Sequence, residues 1–215
     1  MLKEQFNTWS NYRLDIKEQI KIIVVDDGSQ TYPLSNYSID GIDLTLYRIE
    51  EDKGWNNGGA KNLAMSECTT EWAYLSDLDH ILTEKNLIKL LELKQDRSIY
   101  YTFTRYNMGT QHKMTKAQNI FYINKDVFWE AKGYDEDFSG KYGYEDNWLK
   151  HNLVKLIREK TSSNIVIYVA THIKDSITSS AFKKDISINK KLLRNKQQGL
   201  IPQTNDILRF KWRKI

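Results

Sequence analysis

The sequence predicts an α/β fold with a mixed, mostly parallel sheet flanked by helices. Short apolar runs rich in β-branched or aromatic residues predict strands. Two examples are Lys21–Val25 and Trp72–Leu75. Segments with helical periodicity lie between these runs, most clearly Glu84–Lys94. Strands that alternate with helices along a chain favour a parallel sheet, and acidic turns directly follow several of these strands.

The first part of the chain gives its elements in order. Leu2–Gln19 carries apolar residues at helical spacing, which predicts one amphipathic helix before the strand at Lys21–Val25. Leu44–Ile49 alternates apolar and polar residues, as a half-buried strand does. A glycine-rich stretch at Gly54–Gly59 predicts a loop, and a helix is expected over Ala60–Glu67.

The second part continues the same alternation. We expect strands at Ile99–Thr104, Asn119–Ile123 and Ile165–Ala170, helices at Asp126–Ala131 and Glu145–Lys160, and a loop at Gly133–Gly143. From Lys183 onward, basic residues mix with apolar ones. This pattern fits an amphipathic helix packed on the sheet or a basic surface resting on a membrane. Residues 1–182 are therefore predicted as a single domain, with a basic tail at 183–215.

Composition limits the class of protein. With 215 residues, 40% of them hydrophobic and 28% charged, the chain is expected to bury a proper core. The single cysteine, Cys68, cannot form an intrachain disulfide, so a reducing, cytoplasmic location is expected, and no signal-peptide pattern is present. A net charge of +4 suits anionic small molecules, acidic glycans or a membrane surface. Without a recognised nucleic-acid motif, no nucleic-acid partner is expected.

Asp77 and Asp79 follow the predicted strand at Trp72–Leu75, with His80 next to them. Ligands of open α/β sheets bind beyond the carboxyl ends of the strands. Two neighbouring carboxylates repel each other unless a cation or water separates them. Carboxylate oxygens suit Mg²⁺ or Mn²⁺, and an imidazole can be added for Mn²⁺. The hypothesis is a metal–diphosphate site, and the alternative is a solvated acidic turn.

Four segments, in this order, resemble motifs of the family 2 nucleotide-sugar glycosyltransferases. They are IVVDDGS at Ile23–Ser29, WNNGGAKNL at Trp55–Leu63, SDLDH at Ser76–His80 and GYDEDFSGKYGYED at Gly133–Asp146. The last segment also looks like a galactosyltransferase-type acceptor motif. The resemblance implies the GT-A fold, with a nucleotide-binding half over about 1–82 and an acceptor half over about 83–182. It also implies metal-dependent sugar transfer from a nucleotide-sugar donor to a glycan or lipid-linked acceptor.

The resemblance assigns the donor site residue by residue. Asp26 and Asp27 would reach uracil and ribose, and a carboxylate can accept a hydrogen bond from the uracil N3–H. Lys61 and Asn62 lie in the turn where family members usually carry arginine and asparagine, so Lys61 would neutralise the diphosphate. Lysine cannot grip two oxygens as arginine does.

The resemblance also gives a set of metal ligands. Asp79 would bind Mn²⁺ or Mg²⁺ directly, and Asp77 would touch ribose or reach the metal through water. His172 lies just past the last predicted strand, where related enzymes often bring a late histidine to the metal. Alternatives remain for the histidines, because a lone histidine is often only a packed residue and His80 could compete for the metal.

The acceptor side follows from the last motif. Asp146 would be the base that takes the proton from the acceptor hydroxyl, and Glu145 would hold the acceptor. Tyr142 and Tyr144 could stack on sugar rings. One base beside a metal-assisted leaving group favours inversion. A sugar nucleotidyltransferase and a non-catalytic sugar- or nucleotide-binding relative remain as alternative functions.

One departure from the family concerns the first strand. Family members begin with a strand that lies centrally, between the strand ending at Val25 and the strand ending near Ser76. This chain begins directly with the predicted helix. We therefore expect either that the usual first strand is missing or that those two strands pair directly.

Overall fold

A computed structural model describes residues 2–30, 33–170 and 185–215. The helices are α1 (Leu2–Ser10), α2 (Leu14–Lys17), α3 (Asn57–Glu67), α4 (Glu84–Leu91), α5 (Lys125–Glu130), α6 (Glu145–Leu156) and α7 (Ser187–Gln197). The strands are β1 (Lys21–Asp26), β2 (Asp43–Ile49), β3 (Trp72–Leu75), β4 (His80–Ile81), β5 (Ile99–Asn107), β6 (Lys113–Met114), β7 (Phe121–Asn124), β8 (Arg158–Val169) and β9 (Trp212–Lys214). A 3₁₀ turn covers Glu136–Phe138. None of the described helices combines the length and the apolar character that crossing a membrane requires.

The strands form two mixed sheets, which confirms the α/β class. The smaller sheet has the order β1-β2-β9, and the larger has the order β3-β7-β5-β8-β4 with β6 attached to β5. Parallel pairing joins β1 to β2 and β5 to β8. The other described pairs are antiparallel. The expected predominance of parallel pairs is wrong, because β7 lies between β3 and β5 and runs opposite to both.

β1 and β3 belong to different sheets, and no hydrogen-bonded ladder joins them in the described part of the chain. Of the two expectations for these strands, direct pairing is therefore wrong. Helix α1 links the two regions instead. Gln5 Nε2 donates to the carbonyl oxygens of Leu78 (3.1 Å) and His80 (2.7 Å), while Phe6 packs in the cluster around Val24 of β1.

Helix ends differ from the sequence-based expectation in three places. The predicted first helix is two helices, α1 and α2, with a break between Ser10 and Leu14. Helix α3 begins at Asn57, so the glycine-rich stretch supplies its first turn. Helix α6 ends at Leu156 because the next residues join a twelve-residue strand, β8, that pairs with the full length of β5.

The larger sheet is covered on both faces. Alternate residues of β7 point to opposite sides, so Phe121 and Ile123 lie in one hydrophobic cluster and Tyr122 lies in the other. Helices α5 and α6 cover the first face, and Leu149 of α6 is buried there. Helix α4 covers the second face, where Leu87 is buried. The turns that follow β3 and precede α6 are therefore held on a rigid core.

Candidate functional site

Three side chains after β3 form an acidic cluster, defined here as Asp77, Asp79 and His80. One ligand atom from each lies within 4.8 Å of the others. The Asp77 and Asp79 side chains are 29% and 26% exposed, so an ion can reach them from solvent. The two carboxylates offer oxygen donors suited to Mn²⁺ or Mg²⁺, and the imidazole lies beside them. The residues therefore fit a divalent cation.

Asp77 is paired with Lys61. The Lys61 ammonium lies 2.8 Å from Asp77 Oδ1, Asn57 donates to the same oxygen (3.4 Å), and Asn119 donates to Oδ2. Burial opposes ionisation of Asp77, but the Lys61 charge outweighs it and holds the pKa of Asp77 below its usual range. Burial alone would lower the pKa of Lys61, whereas the surrounding carboxylates, led by Asp77 and Asp146, raise it.

Asp79 lies against the buried His80 ring. Asp79 Oδ1 is 2.7 Å from His80 Nδ1, and Arg105 Nη1 is 3.0 Å from His80 Nε2. Arg105 is held in turn by the carbonyl oxygen of Thr115, which accepts from its Nε and Nη2 at 3.1 and 2.6 Å. His172, the late histidine that the resemblance implied as a ligand, lies outside the described residues.

The turn before α6 presents Asp146 at the head of the helix. Gly143 and Tyr144 both have positive φ, +88° and +73°, and this left-handed conformation strains a tyrosine. The Tyr134 hydroxyl donates to Asp146 Oδ1 at 2.9 Å. Burial and the Asp77 charge raise the pKa of Asp146, although Lys61 and the Tyr134 hydrogen bond partly oppose them.

Glu145 is almost completely buried, with 4% exposure. Its Oε1 accepts a hydrogen bond from Trp55 Nε1 at 2.8 Å, whereas its Oε2 has no hydrogen-bond partner among the described residues. Burial and the adjacent Asp146 raise the pKa of Glu145. The Tyr142 ring meets Trp55 edge to face at 4.6 Å. Tyr144 instead packs near the buried ring of Trp148.

Asp26 and Asp27, at the end of β1, differ in how many of their carboxylate oxygens already accept hydrogen bonds from the protein. Asp26 Oδ1 accepts from Ser29 N (2.8 Å), and its Oδ2 accepts from Leu34 N (2.8 Å) and Arg48 Nη1 (3.0 Å). Asp27 Oδ2 accepts from the backbone N–H of Asn56 at 2.9 Å. Its Oδ1 is buried and has no partner within the described residues. Burial raises the pKa of Asp27 to about 7.

Asn62 connects α3 to the loop before α6. It has no exposed surface. Its Nδ2 donates to Tyr134 O (2.9 Å) and Glu136 Oε1 (3.0 Å), and its Oδ1 accepts from Tyr134 N (2.9 Å). Asn62 therefore holds Tyr134 and Glu136 in place by hydrogen bonds from the protein interior. Gly58 in the same helix lies so close to Tyr134 that a Cβ there would be 3.1 Å from the Tyr134 Cβ.

A C-terminal clamp, defined here as Asn189, Lys196 and Arg209, holds the loop between Gly133 and Tyr144. Asn189 Nδ2 lies within 3.0 Å of three loop carbonyl oxygens, those of Phe138, Lys141 and Gly143. Lys196 has a fully buried side chain, and its ammonium bonds Asp135 (2.7 Å), Asp137 (2.8 Å) and the Pro202 carbonyl (2.7 Å). Arg209 donates to Asp137 at 2.9 Å.

The donor-side and acceptor-side motifs meet at Lys61. Its ammonium bonds Asp77, feels the charges of Asp146 and Glu145, and lies 5.6 Å from the centre of the Tyr134 ring. The motif residues after β3, in α3 and at the start of α6 therefore share one electrostatic environment. In this environment the Lys61 ammonium can bind an anion, and Asp146, whose pKa is raised, can take up a proton.

Several residues of this site were missed from sequence. Trp55 and Tyr134 lie inside the motifs, so their position was a usable signal. Asn119 and Arg105 lie in segments that matched no motif, and nothing in the sequence connected them with Asp77 or His80.

A family model described as "Glycosyl transferase family 2" matches residues 8–154. The chain belongs to glycosyl transferase family 2. The family predicted from the four motifs is thereby confirmed, and the match runs from α1 to near the end of α6.

Solved structures of glycosyltransferases share the fold of this family 2 chain. Similar structures include Staphylococcus aureus TarS 1–349, with 12% identity, TM-score 0.56, and coverage of 77% of this chain and 58% of that one. The mannosyltransferase PcManGT from Pyrobaculum calidifontis, in complex with GDP-Man and Mn²⁺, has 14% identity, TM-score 0.54 and coverage of 80% and 53%. The catalytic domain of Drosophila β1,4-galactosyltransferase 7, complexed with xylobiose, has 11% identity, TM-score 0.51 and coverage of 77% and 69%. These likenesses confirm the GT-A fold.

The curated proteins similar in sequence to this family 2 chain are not named as glycosyltransferases. A subunit of the mitochondrial glutamyl-tRNA(Gln) amidotransferase from Candida dubliniensis is 25% identical over 167 residues, and the corresponding Candida albicans protein is 26% identical over 168 residues. Each match covers 72% of this chain, which spans about a third of the relatives' length. The family assignment rests on the family model, with which the fold agrees.

Proposed function

We propose that this chain is a metal-dependent glycosyltransferase that moves a sugar from a nucleoside-diphosphate donor to a hydroxyl group. The observation that carries the proposal is the meeting of Asp77 and Asp146 around the buried Lys61 ammonium. A diphosphate needs positive charge, and an acceptor hydroxyl needs a base beside it. One site supplies both.

The donor side favours a UDP-sugar. Asp27 Oδ1 is a buried acceptor without a partner in the described chain, and it could accept the uracil N3–H. Asp26 would position this turn, because both of its oxygens already accept protein hydrogen bonds. The first turn of α3 has backbone N–H groups free of intrahelical partners, and with Lys61 it could receive the diphosphate.

Asp79 would hold Mn²⁺ or Mg²⁺, with Asp77 beside it. When bound, such a cation neutralises the charge that develops on the departing diphosphate. Lys61 would turn from Asp77 toward the phosphate oxygens as the donor arrives. The partial exposure of both carboxylates leaves a path for this exchange.

Asp146 would take the acceptor proton. Its raised pKa makes it a stronger base than an ordinary aspartate, and the Tyr134 hydroxyl fixes the orientation of its carboxylate. Trp55 and Tyr142 could offer aromatic surface to a sugar ring, while Glu145 holds the acceptor. A single base without a second carboxylate as nucleophile favours inversion at the anomeric carbon.

A donor screen tests the proposal. The chain is incubated with UDP- and GDP-sugars, Mn²⁺ and candidate sugar acceptors, and release of nucleoside diphosphate is measured. Asp146→Asn should lower turnover by roughly 10²–10⁴-fold while UDP binding is kept. Asp126→Asn, an exposed aspartate on α5, is the matched control and should behave as the wild type.

Other outcomes would redirect the proposal. Pyrophosphate formed from UTP and a sugar phosphate would indicate a nucleotidyltransferase. Nucleotide binding without turnover for any donor would indicate a non-catalytic relative. The anomeric configuration of the product, read by NMR, tests inversion.

A lipid-linked acceptor and contact with a membrane through the basic tail remain proposals. The exposed Lys190, Lys191 and Arg194 on α7 could face anionic lipid, whereas Lys196 is fully buried in the clamp. Liposome binding that does not depend on anionic lipid would end the membrane proposal.

A further inference from the structure

The His80 imidazole lies between Asp79 on one side and Arg105 on the other. Nδ1 is 2.7 Å from Asp79 Oδ1, and Nε2 is 3.0 Å from Arg105 Nη1. The side chain is 3% exposed, so solvent hardly competes for either nitrogen. The two neighbours therefore decide where the imidazole carries its proton.

Arg105 decides the state of Nε2. A guanidinium has donors and no acceptor, so its hydrogen bond to Nε2 requires a lone pair on that nitrogen. Arg105 cannot easily swing away, because the Thr115 carbonyl oxygen accepts from two of its other nitrogens. The single proton of a neutral histidine is then on Nδ1.

The proton on Nδ1 faces Asp79. The N–H direction is not well aligned with Oδ1, since Nδ1 makes no geometrically complete hydrogen bond to a described residue. A nitrogen–oxygen separation of 2.7 Å nevertheless favours a protonated Nδ1, because a lone pair on Nδ1 would face the lone pairs of the carboxylate oxygen.

We propose that His80 is a positioning residue for Asp79 and not itself a metal ligand. Its Nδ1–H orients the carboxylate that faces the cation, and Arg105 holds His80 in the required tautomer. An Nδ1 that donates to Asp79 has no lone pair for a metal. The role of this arrangement in metal binding rests on the proposed function, whereas the tautomer does not.

The first test is the tautomer of His80 in the wild-type protein without metal. Long-range ¹H–¹⁵N NMR spectra of histidine-labelled protein distinguish Nδ1–H from Nε2–H. Loss of one signal set in His80→Asn assigns the residue, and His112→Asn, at an exposed histidine, is the matched control. We expect Nδ1–H for His80, and Arg105→Met should release that preference. An Nε2–H tautomer in the wild type would overturn the proposal.

The second test is Mn²⁺ affinity, measured from the electron paramagnetic resonance signal of free Mn²⁺. His80→Ala should weaken binding by roughly 10–100-fold, as loss of a supporting partner does. His80→Asn keeps a donor at the position of Nδ1 and should restore most of the affinity. If His80→Asn binds as weakly as His80→Ala, His80 is a ligand and the proposal fails.

The two tests separate this inference from the proposed function. Failure of every donor to react, with the tautomer and the Mn²⁺ affinities as expected, would remove the transferase and leave the positioning role. Sugar transfer together with an Nε2–H tautomer would support the transferase and overturn the positioning role of His80. Absence of Mn²⁺ binding to the wild type would overturn the role of His80 in metal binding.

Discussion

The acidic cluster and the C-terminal clamp use the same chemistry, a lysine between carboxylates, in different surroundings. Lys196 in the clamp is fully buried. Its ammonium donates hydrogen bonds to Asp137 and to the Pro202 carbonyl oxygen, and it forms an ion pair with Asp135 at 2.7 Å. One of its carboxylate partners, Asp135, has no exposed side-chain surface, and the other, Asp137, is 29% exposed. The Lys61 side chain is 8% exposed, and its ion-pair partner Asp77 is 29% exposed. The Lys196–Asp135 pair is enclosed by protein and is a structural element. The Lys61–Asp77 pair is open to solvent on its carboxylate side and can exchange its cation for a ligand.

In each region a lysine helps to lower the pKa of one partly exposed carboxylate, Asp137 or Asp77, while more deeply buried carboxylates keep raised pKa values. Hydrogen bonds and charges from Lys196 and Arg209 hold the pKa of Asp137 low, although burial opposes them, whereas burial raises the pKa of Asp135 despite the nearby Lys196. Around Lys61, the pKa values of Glu145 and Asp146 remain raised, because burial and mutual repulsion exceed the single ammonium. The site therefore keeps two buried carboxylates, Glu145 and Asp146, whose charges one ammonium does not fully compensate.

The largest effect is expected from breaking the clamp. Lys196→Met leaves the buried Asp135 without its cation and leaves Asp137 with Arg209 alone, and the free energy of unfolding should fall by about 3–5 kcal/mol. Urea unfolding followed by circular dichroism measures it. The exposed Lys191→Met on the same helix should change it by less than about 0.5 kcal/mol. Equal losses in the two variants would mean that the buried lysine has no special role.

A smaller effect is expected from Asn189→Ala. Three loop carbonyl oxygens lose their hydrogen-bond donor, so the free energy of unfolding should fall by about 1–3 kcal/mol. Amide hydrogen exchange at 138–143 should become faster, while Mn²⁺ affinity at the acidic cluster stays the same. Lys190→Ala, at the exposed neighbouring position, is the control. A parallel loss of Mn²⁺ affinity would contradict the separation of the clamp from the cluster.

The buried Asp27, in the turn after β1, predicts that stability depends on pH. The folded pKa of Asp27, about 7, lies above its ordinary value, so the native state binds the proton more tightly than the unfolded chain does. Between about pH 4 and 7 stability should therefore fall as pH rises, by at most about 1.4 kcal/mol per unit from this group. Asp27→Asn should flatten that slope in urea titrations, and the exposed Asp40→Asn should not. An unchanged slope in Asp27→Asn would contradict the prediction, because another group would then cause the pH dependence.

The smallest effect is expected from Glu145→Gln. The amide oxygen can still accept from Trp55, and a buried charge is removed, so stability at pH 8 should rise by about 0.5–1 kcal/mol. Thermal unfolding measures this, with the exposed Glu92→Gln as control. A clear loss of stability would show that the Glu145 charge is compensated by the fold.

Patterns that depend on local spacing were predictable. A strand near β7 and the placement of Asp77 and Asp79 after a buried strand follow from short apolar runs and their order in the chain. The length of β8 was missed, because only its second half, Ile165–Val169, is strongly apolar. Its first half is polar and becomes a strand by pairing with β5.

By itself, the sequence determined the α/β class, the family and the motif residues, because these depend on short-range patterns in a fixed order. Only the tertiary structure decided that Lys61 pairs with Asp77 and that Tyr134 donates to Asp146. It also decided that Arg105 fixes the state of His80. A basic tail gives no sign that one of its lysines will be buried, since that depends on acidic partners such as Asp137, 59 residues earlier in the chain. Pairings over such distances are set by how the core packs, and composition does not record them.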